Sequence, residues 1–282
     1  MKKSKVTHGV RITFATLVGL LLAAPLFYMV TNSLMSDAQT TDLTPQLIPN
    51  GFDLHFSNYS AALSGPTQVI YARSFLNSAI FTFFVVALQW ALCVSGGLVI
   101  AKMRFRARGV ITALLAVSLF IPILTTLIPT FFVTLKLNIV DTYPGLILPI
   151  VAQTGFGTLL FRQYISQMPE ELFDAARMDG ATWWMILRRL VIPLAGPATG
   201  AYVAISVLTA WNMYLWPLVA AQSPNLEVLT QTLASLNNLT FGTTHPQNIV
   251  YAAIVIVTLP MILVFLAVQP AFIRGLTGSG VE

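Results

Sequence analysis

Residues Pro169–Pro193 read PEELFDAARMDGATWWMILRRLVIP, a polar segment set between two long hydrophobic runs. It holds four acids (Glu170, Glu171, Asp174, Asp179) and three arginines (Arg177, Arg188, Arg189). Pro169 suits a first helical position, where no N–H is needed, and Glu170 and Glu171 favour the positive end of a helix. Leu172, Ala175, Ala176 and Asp179 recur at three- and four-residue spacing, which predicts one face with small residues at its centre. Gly180 permits a left-handed turn that ends this helix. Thr182 is placed to cap a second helix with Trp183, Ile186, Leu187 and Leu190 as its apolar face, and Pro193 is expected to end it. Two readings fit this pattern. One is an amphipathic hairpin lying on lipid, with Trp183 and Trp184 at the interface; the other is a docking surface for a soluble partner.

The rest of the chain explains the setting. Of 282 residues, 56% are hydrophobic and 9% charged, with a mean hydropathy of +0.77, which points to an all-α polytopic membrane protein. Crossing a bilayer takes about 20 apolar residues. Six such runs occur, at about 12–32, 75–101, 110–135, 143–161, 194–220 and 249–271, and 1–282 reads as a single transmembrane domain with a polar loop over 166–193. The net charge of +5 does not indicate nucleic acid, because the basic residues alternate with the runs. Lys2, Lys3, Lys5, Arg11, Lys102, Arg104, Arg106, Arg108, Arg162, Arg177, Arg188, Arg189 and Arg274 fall on one side, and only Arg73 and Lys136 on the other. The excess of positive charge places both termini and the Pro169–Pro193 segment in the cytoplasm. Reading the first run as a cleaved signal peptide would leave five spans and set the basic loops on conflicting sides. The single cysteine, Cys93, lies within the second run and reads as a small buried apolar residue.

External segments are expected at 33–73, with a turn at Pro49-Asn50-Gly51, and at 222–248. Asp141 or Thr142 is placed to cap the fourth helix ahead of Pro144. Pro25, Pro122, Pro129, Pro217 and Pro260 interrupt the runs, as kinks or as packing features. Inside the runs there is no Asp, Glu or His, and no Lys or Arg away from the ends. An ion-coupled carrier commonly keeps such groups at mid-membrane, so transport here is expected to draw its energy from elsewhere. The chain has no G-x-x-x-x-G-K-[ST] phosphate loop. No catalytic residue and no metal ligand is assigned.

The loop resembles the EAA motif of binding-protein-dependent ABC importer permeases, E-A-A-x3-G-x9-I-x-L-P. Here it reads Asp174-Ala175-Ala176, Gly180, then Leu190-Val191-Ile192-Pro193, with every spacing kept and Asp174, Leu190 and Ile192 departing from the pattern. Phe56-Ser57-Asn58-Tyr59, Asn77-Ser78, Asp141-Thr142, Trp211-Asn212 and the ending Phe272-Ile273-Arg274-Gly275-Leu276-Thr277 resemble carbohydrate-uptake permeases of the MalG kind. LFRQYISQMPEELFDAARMDGA, WNMYLWPL and QPAFIRGL more narrowly resemble UgpE-type permeases of glycerol-3-phosphate and glycerophosphodiester importers.

The resemblance implies the type I importer fold with six transmembrane helices in a bacterial inner membrane. It implies a non-catalytic subunit whose partners are a homologous second permease, two copies of a cytoplasmic ATPase and an external substrate-binding protein. ATP and Mg would be bound by the ATPase, with no cofactor on this chain. Asp174, Ala175, Ala176, Arg177, Asp179 and Gly180 are then the expected ATPase-coupling residues. The implied cargo is glycerol-3-phosphate or a glycerophosphodiester, or alternatively a sugar or oligosaccharide. Candidate substrate-path residues are Asn77, Trp211, Asn212 and Tyr214, since aromatic faces beside an amide suit a polyol; helix packing explains the same residues equally simply.

Overall fold

The computed structural model of the protein describes residues 2–42, 46–50, 53–64, 68–240 and 246–277, among which every regular element is a helix. The chain groups into two compact units, Met1–Ala72 with Leu233–Leu259 and Arg73–Thr232 with Pro260–Glu282. In the first unit, α1 (Lys2–Ser33) carries an apolar stretch, Arg11–Ser33, long enough to cross a membrane and largely exposed until Thr31, Asn32 and Ser33 at its end, which are buried. Pro25 lies inside α1 without ending it. Short helices α2 (Asp37–Thr40) and α3 (Ser57–Ser64) follow, the former closed by a reciprocal cap between Ser36 and Gln39. The buried Asn58 amide donates to the carbonyls of Ser33 (2.9 Å) and Met35 (2.8 Å), and Asn248 donates to Asn58 Oδ1 (3.0 Å). The segment after α1 is therefore stapled by polar contacts. Gly51 of its expected turn lies outside the described residues.

Helix α4 (Gln68–Lys102), which falls in the second unit from Arg73 on, is one unbroken 35-residue helix. The next three hydrophobic runs are not. The run over 110–135 divides into α5 (Arg108–Ser118) and α6 (Ile123–Lys136), bent by 107°. Pro122 sits at the N-cap of α6, and a proline disfavours helical geometry in the residue before it. The run over 143–161 becomes α7 (Tyr143–Val151) and α8 (Gly155–Ser166), bent by 45°. Thr142 caps α7 by accepting from the Gly145 N–H (3.2 Å). Helix α9 (Glu170–Met178) precedes α10 (Trp183–Leu194), which bends by 79° into α11 (Gly196–Trp211). The chain unwinds over Asn212–Tyr214 before α12 (Leu215–Ala220). Hydropathy over 194–220 thus covers two helices.

Pro193 does not end its helix. The turns before it widen into a π-helix over Ile186–Val191, and Pro193 falls in the first turn of the α-helical stretch that follows. There its missing N–H costs little. The segment expected as a loop at 222–248 contains α13 (Leu229–Thr240), and α14 (Gln247–Thr277) closes the chain.

Broken helices release backbone groups that must find partners where no water reaches. Gln89 on α4 donates to the carbonyls of Ile150 (3.0 Å) and Gln153 (2.8 Å) at the α7–α8 break, and its own oxygen accepts from the Tyr202 hydroxyl (3.0 Å). At the unwound stretch, Thr230 donates to the Met213 carbonyl (2.8 Å). One apolar core joins Cys93, Val94 and Leu98 of α4 to Phe161 and Ile165 of α8, Phe173 of α9 and Ile186 and Leu187 of α10. Close approach of α4 and α8 requires Gly97, since a Cβ there would meet Phe161 Cβ at 2.6 Å and the Arg162 nitrogen at 2.9 Å. Gly97→Ala is expected to lose about 1–3 kcal/mol through this overlap, read as a drop in Tm of the detergent-solubilised protein. Gly109→Ala, whose Cβ would enter open space, is the matched control and should show no drop.

Candidate functional site

The Pro169–Pro193 loop is built as its sequence suggests, with one reversal of faces. Gly180 has φ +75, and Thr182 caps α10 by accepting from the Met185 N–H (3.3 Å). Ile186 and Leu187 are buried and Trp183 and Leu190 pack beside them, so the expected apolar face of α10 rests on the protein's own core. On α9, however, the core-facing residue is Phe173, which is fully buried, with Ala176 packed beside it. Leu172, Ala175 and Asp179 point away, so the two alanines of the motif do different work. Ala176 lets α9 lie close to its own core, and Ala175 sits on an outer ridge.

Lys102, at the last turn of α4, fixes α9 in place. Its ammonium donates to Glu170 (2.7 Å) and to the Met168 carbonyl (3.1 Å), and it lies 4.3 Å from the centre of the Phe173 ring. The Lys102 side chain is only 5% exposed. Nothing in the local sequence marks it out from its basic neighbours Arg104, Arg106 and Arg108. Arg177 is also engaged within the loop, over the Trp183 ring at 5.0 Å and near Asp174 at 3.4 Å. Met178 (88% exposed) and Trp184 (67%) stand free on the outer side of the loop, where Asp174 and Asp179 are also exposed. A Cβ at Gly180 would touch nothing in this chain, so its backbone angle alone demands glycine there.

The candidate substrate residues separate. Asn77 is buried and fully occupied: it donates to the carbonyls of Asn225 (3.0 Å) and Glu227 (2.8 Å) and accepts from the Tyr143 hydroxyl (2.6 Å). Trp211 stacks edge-on against Phe75, with centroids 5.7 Å apart. Asn212 and Tyr214, by contrast, line a cavity of about 260 Å³ together with Thr126, Thr130, Gln153 and Thr209. Its walls share Gln153, Thr209 and Met213 with a second cavity of about 330 Å³, which Gln89 and Tyr202 also line. All the lining residues are uncharged. The unwinding over 212–214 opens this space, a feature that hydropathy does not register. Beyond the cavities, Asp141 accepts from the N–H groups of Gln222 and Ser223 (2.9 Å each) and from the Ser223 hydroxyl (3.1 Å). These bonds, led by the Ser223 N–H, hold its carboxyl below the ordinary range.

Broken apolar helices around cavities lined by uncharged side chains, with a polar hairpin packed on the same core, are features of a membrane permease. The chain belongs to the family of binding-protein-dependent transport system inner membrane components, whose model matches residues 94–278; it is a permease component of an ABC importer. It is 32% identical over 269 residues to the arabinooligosaccharides transport system permease protein AraQ of Bacillus subtilis (strain 168), covering 95% of this chain and 94% of that one. It is 33% identical over 204 residues to the sn-glycerol-3-phosphate transport system permease protein UgpE of Salmonella choleraesuis (strain SC-B67), covering 72% of each. The narrower likeness to glycerol-3-phosphate permeases is therefore not singled out. A crystal structure of a bacterial ABC transporter involved in the import of the acidic polysaccharide alginate superposes with a TM-score of 0.82 at 26% identity, over 96% of this chain and 98% of that one.

Glu170 makes the latch sensitive to acid. Its carboxyl is held below the ordinary range, first by the hydrogen bond from Lys102, with the charges of Lys102, Arg177 and Arg104 assisting against partial burial. A depressed folded-state pKa contributes stability above the unfolded carboxyl value, and that contribution is lost as pH falls through the folded value. The Tm difference between the unaltered protein and Glu170→Ala should be constant above about pH 5 and should shrink away below about pH 4.

Proposed function

We propose that this chain is one of two homologous permease subunits of a carbohydrate importer in the bacterial cytoplasmic membrane. Both termini and the Pro169–Pro193 loop lie in the cytoplasm, where the loop docks on one of two copies of an ATPase that binds ATP and Mg. An external binding protein delivers the cargo. The observation that carries this reading is the division of the loop into two sides. Lys102, Phe173, Ile186 and Leu187 fix one side to the permease, while the other leaves Leu172, Ala175, Met178 and Trp184 free around Asp174 and Asp179. Exposed apolar side chains mixed with charge suit a protein partner. Trp183, one of the two tryptophans that a lipid-surface hairpin would use, is already packed on the protein.

The cargo is a neutral, hydroxyl-rich solute, a sugar or an oligosaccharide. Support comes from the uncharged amides and hydroxyls of Gln153, Asn212, Thr130 and Tyr214 around the cavity, and from the arabinooligosaccharide permease among the relatives. A second reading, glycerol-3-phosphate or a glycerophosphodiester, draws on the glycerol-3-phosphate permeases. It needs a cationic group from another subunit to meet the phosphate.

Two experiments test these readings. Ala175→Leu adds bulk on an exposed helical position without loss of helix propensity. The variant should insert into the membrane normally while ATP-driven uptake by the assembled importer falls about tenfold or more. Normal uptake would remove the docking role. For the cargo, labelled arabinotriose and labelled glycerol-3-phosphate are offered to cells that depend on this importer. Uptake of the sugar alone is expected, and uptake of glycerol-3-phosphate alone would select the second reading.

A further inference from the structure

Between Arg73 and Thr232 the described helices are interrupted again and again, at the α5–α6, α7–α8 and α10–α11 bends and at the unwound stretch after α11. Helix α4 is the exception, and three sets of contacts are spaced along it. At one end Lys102 holds the Glu170 carboxylate, the Met168 carbonyl and the Phe173 ring. About 20 Å along the axis, Gln89 holds the Ile150 and Gln153 carbonyls, and Ile150 and Gln153 line both cavities. At the far end, roughly 38 Å from Lys102, four side chains grip the segment Asn225–Thr232. Arg73 donates to the Asn225 carbonyl (2.9 Å), and Asn77 to those of Asn225 and Glu227. Ser78 accepts from the Leu229 N–H (2.8 Å), and the Thr232 hydroxyl donates to Ser74 (2.7 Å).

We infer that α4 is the transmission rod of this subunit and that Lys102 is the positioning residue that pins it to the docking loop, so that displacement of α9 is carried to the cavity wall and to the Asn225–Thr232 segment. The inference rests on the docking reading above. Lys102 suits this part because its three contacts differ in kind. The ion pair and the carbonyl bond resist sliding of α9 along α4, and the ring contact resists lifting of α9 away from it. A hydrophobic contact alone resists neither motion directionally. The bends elsewhere absorb displacement, and an unbroken helix conveys it.

The test needs no cargo. The complete importer is trapped with ATP and vanadate, and hydrogen exchange is followed in peptides covering 170–190 and 222–232, before and after trapping. In the unaltered complex both peptides are expected to respond. In Lys102→Met, which keeps length and apolar bulk, the 170–190 response should persist while the 222–232 response falls about fivefold or more. Lys102→Arg should retain both. Equal responses at 222–232 in Lys102→Met and the unaltered complex would overturn the inference, as would silence of that peptide in the unaltered complex. Silence at 170–190 in the unaltered complex would instead remove the docking reading beneath it. If Lys102→Met does not assemble, Glu170→Ala, at a half-exposed position, decides in the same assay. An undiminished 222–232 response there also overturns the inference.

Discussion

An ammonium group taken out of water must be met by acceptors, and at Lys102 those acceptors belong to another part of the chain. Its contacts with Met168, Glu170 and the Phe173 ring bring α9 onto the end of the unbroken helix α4. The other features of the loop follow from that placement. Phe173 is driven into the core, Ala176 follows it, and Ala175 and Met178 are left outside. With α9 fixed, Gly180 and the Thr182 cap set the direction of α10, whose apolar face then closes the same core.

The membrane part shows the opposite strategy. Its helices are broken where a cavity is wanted, and the released backbone groups are satisfied by neutral side chains such as Gln89 and Thr230 rather than by charges. A charge at that depth would be costly and would favour one kind of cargo. Amides and hydroxyls offer hydrogen bonds without that bias. They suit the permease component of an ABC importer.

Much of the loop could be read from its sequence, because the signals there are local. A glycine at a left-handed position, a threonine cap and a helical spacing each act within one turn, and Gly180, Thr182 and Ile186–Leu187 stand as expected. Thr142 ahead of Pro144 is of the same kind. Phe173 and Lys102 were not legible, since their roles depend on partners from α4 and α8, distant along the chain. Lys102 looks like any residue that obeys the charge rule for cytoplasmic ends. Hydropathy likewise reports composition over a window and carries no direction, so the 107° and 79° bends and the unwinding at Asn212–Tyr214 leave no trace in it. The helix within 222–248 is not legible in hydropathy because seven of its twelve residues are polar and its anchors, Ser74 and Ser78, lie on α4.

The central claim is that the outer ridge of the Pro169–Pro193 loop faces a soluble ATPase. A photo-crosslinking side chain placed at Ala175 in membranes containing the whole importer tests it most directly. The account predicts an adduct between this chain and the ATPase. An adduct with lipid alone, or labelling of the same position from the external face of intact cells, would contradict it.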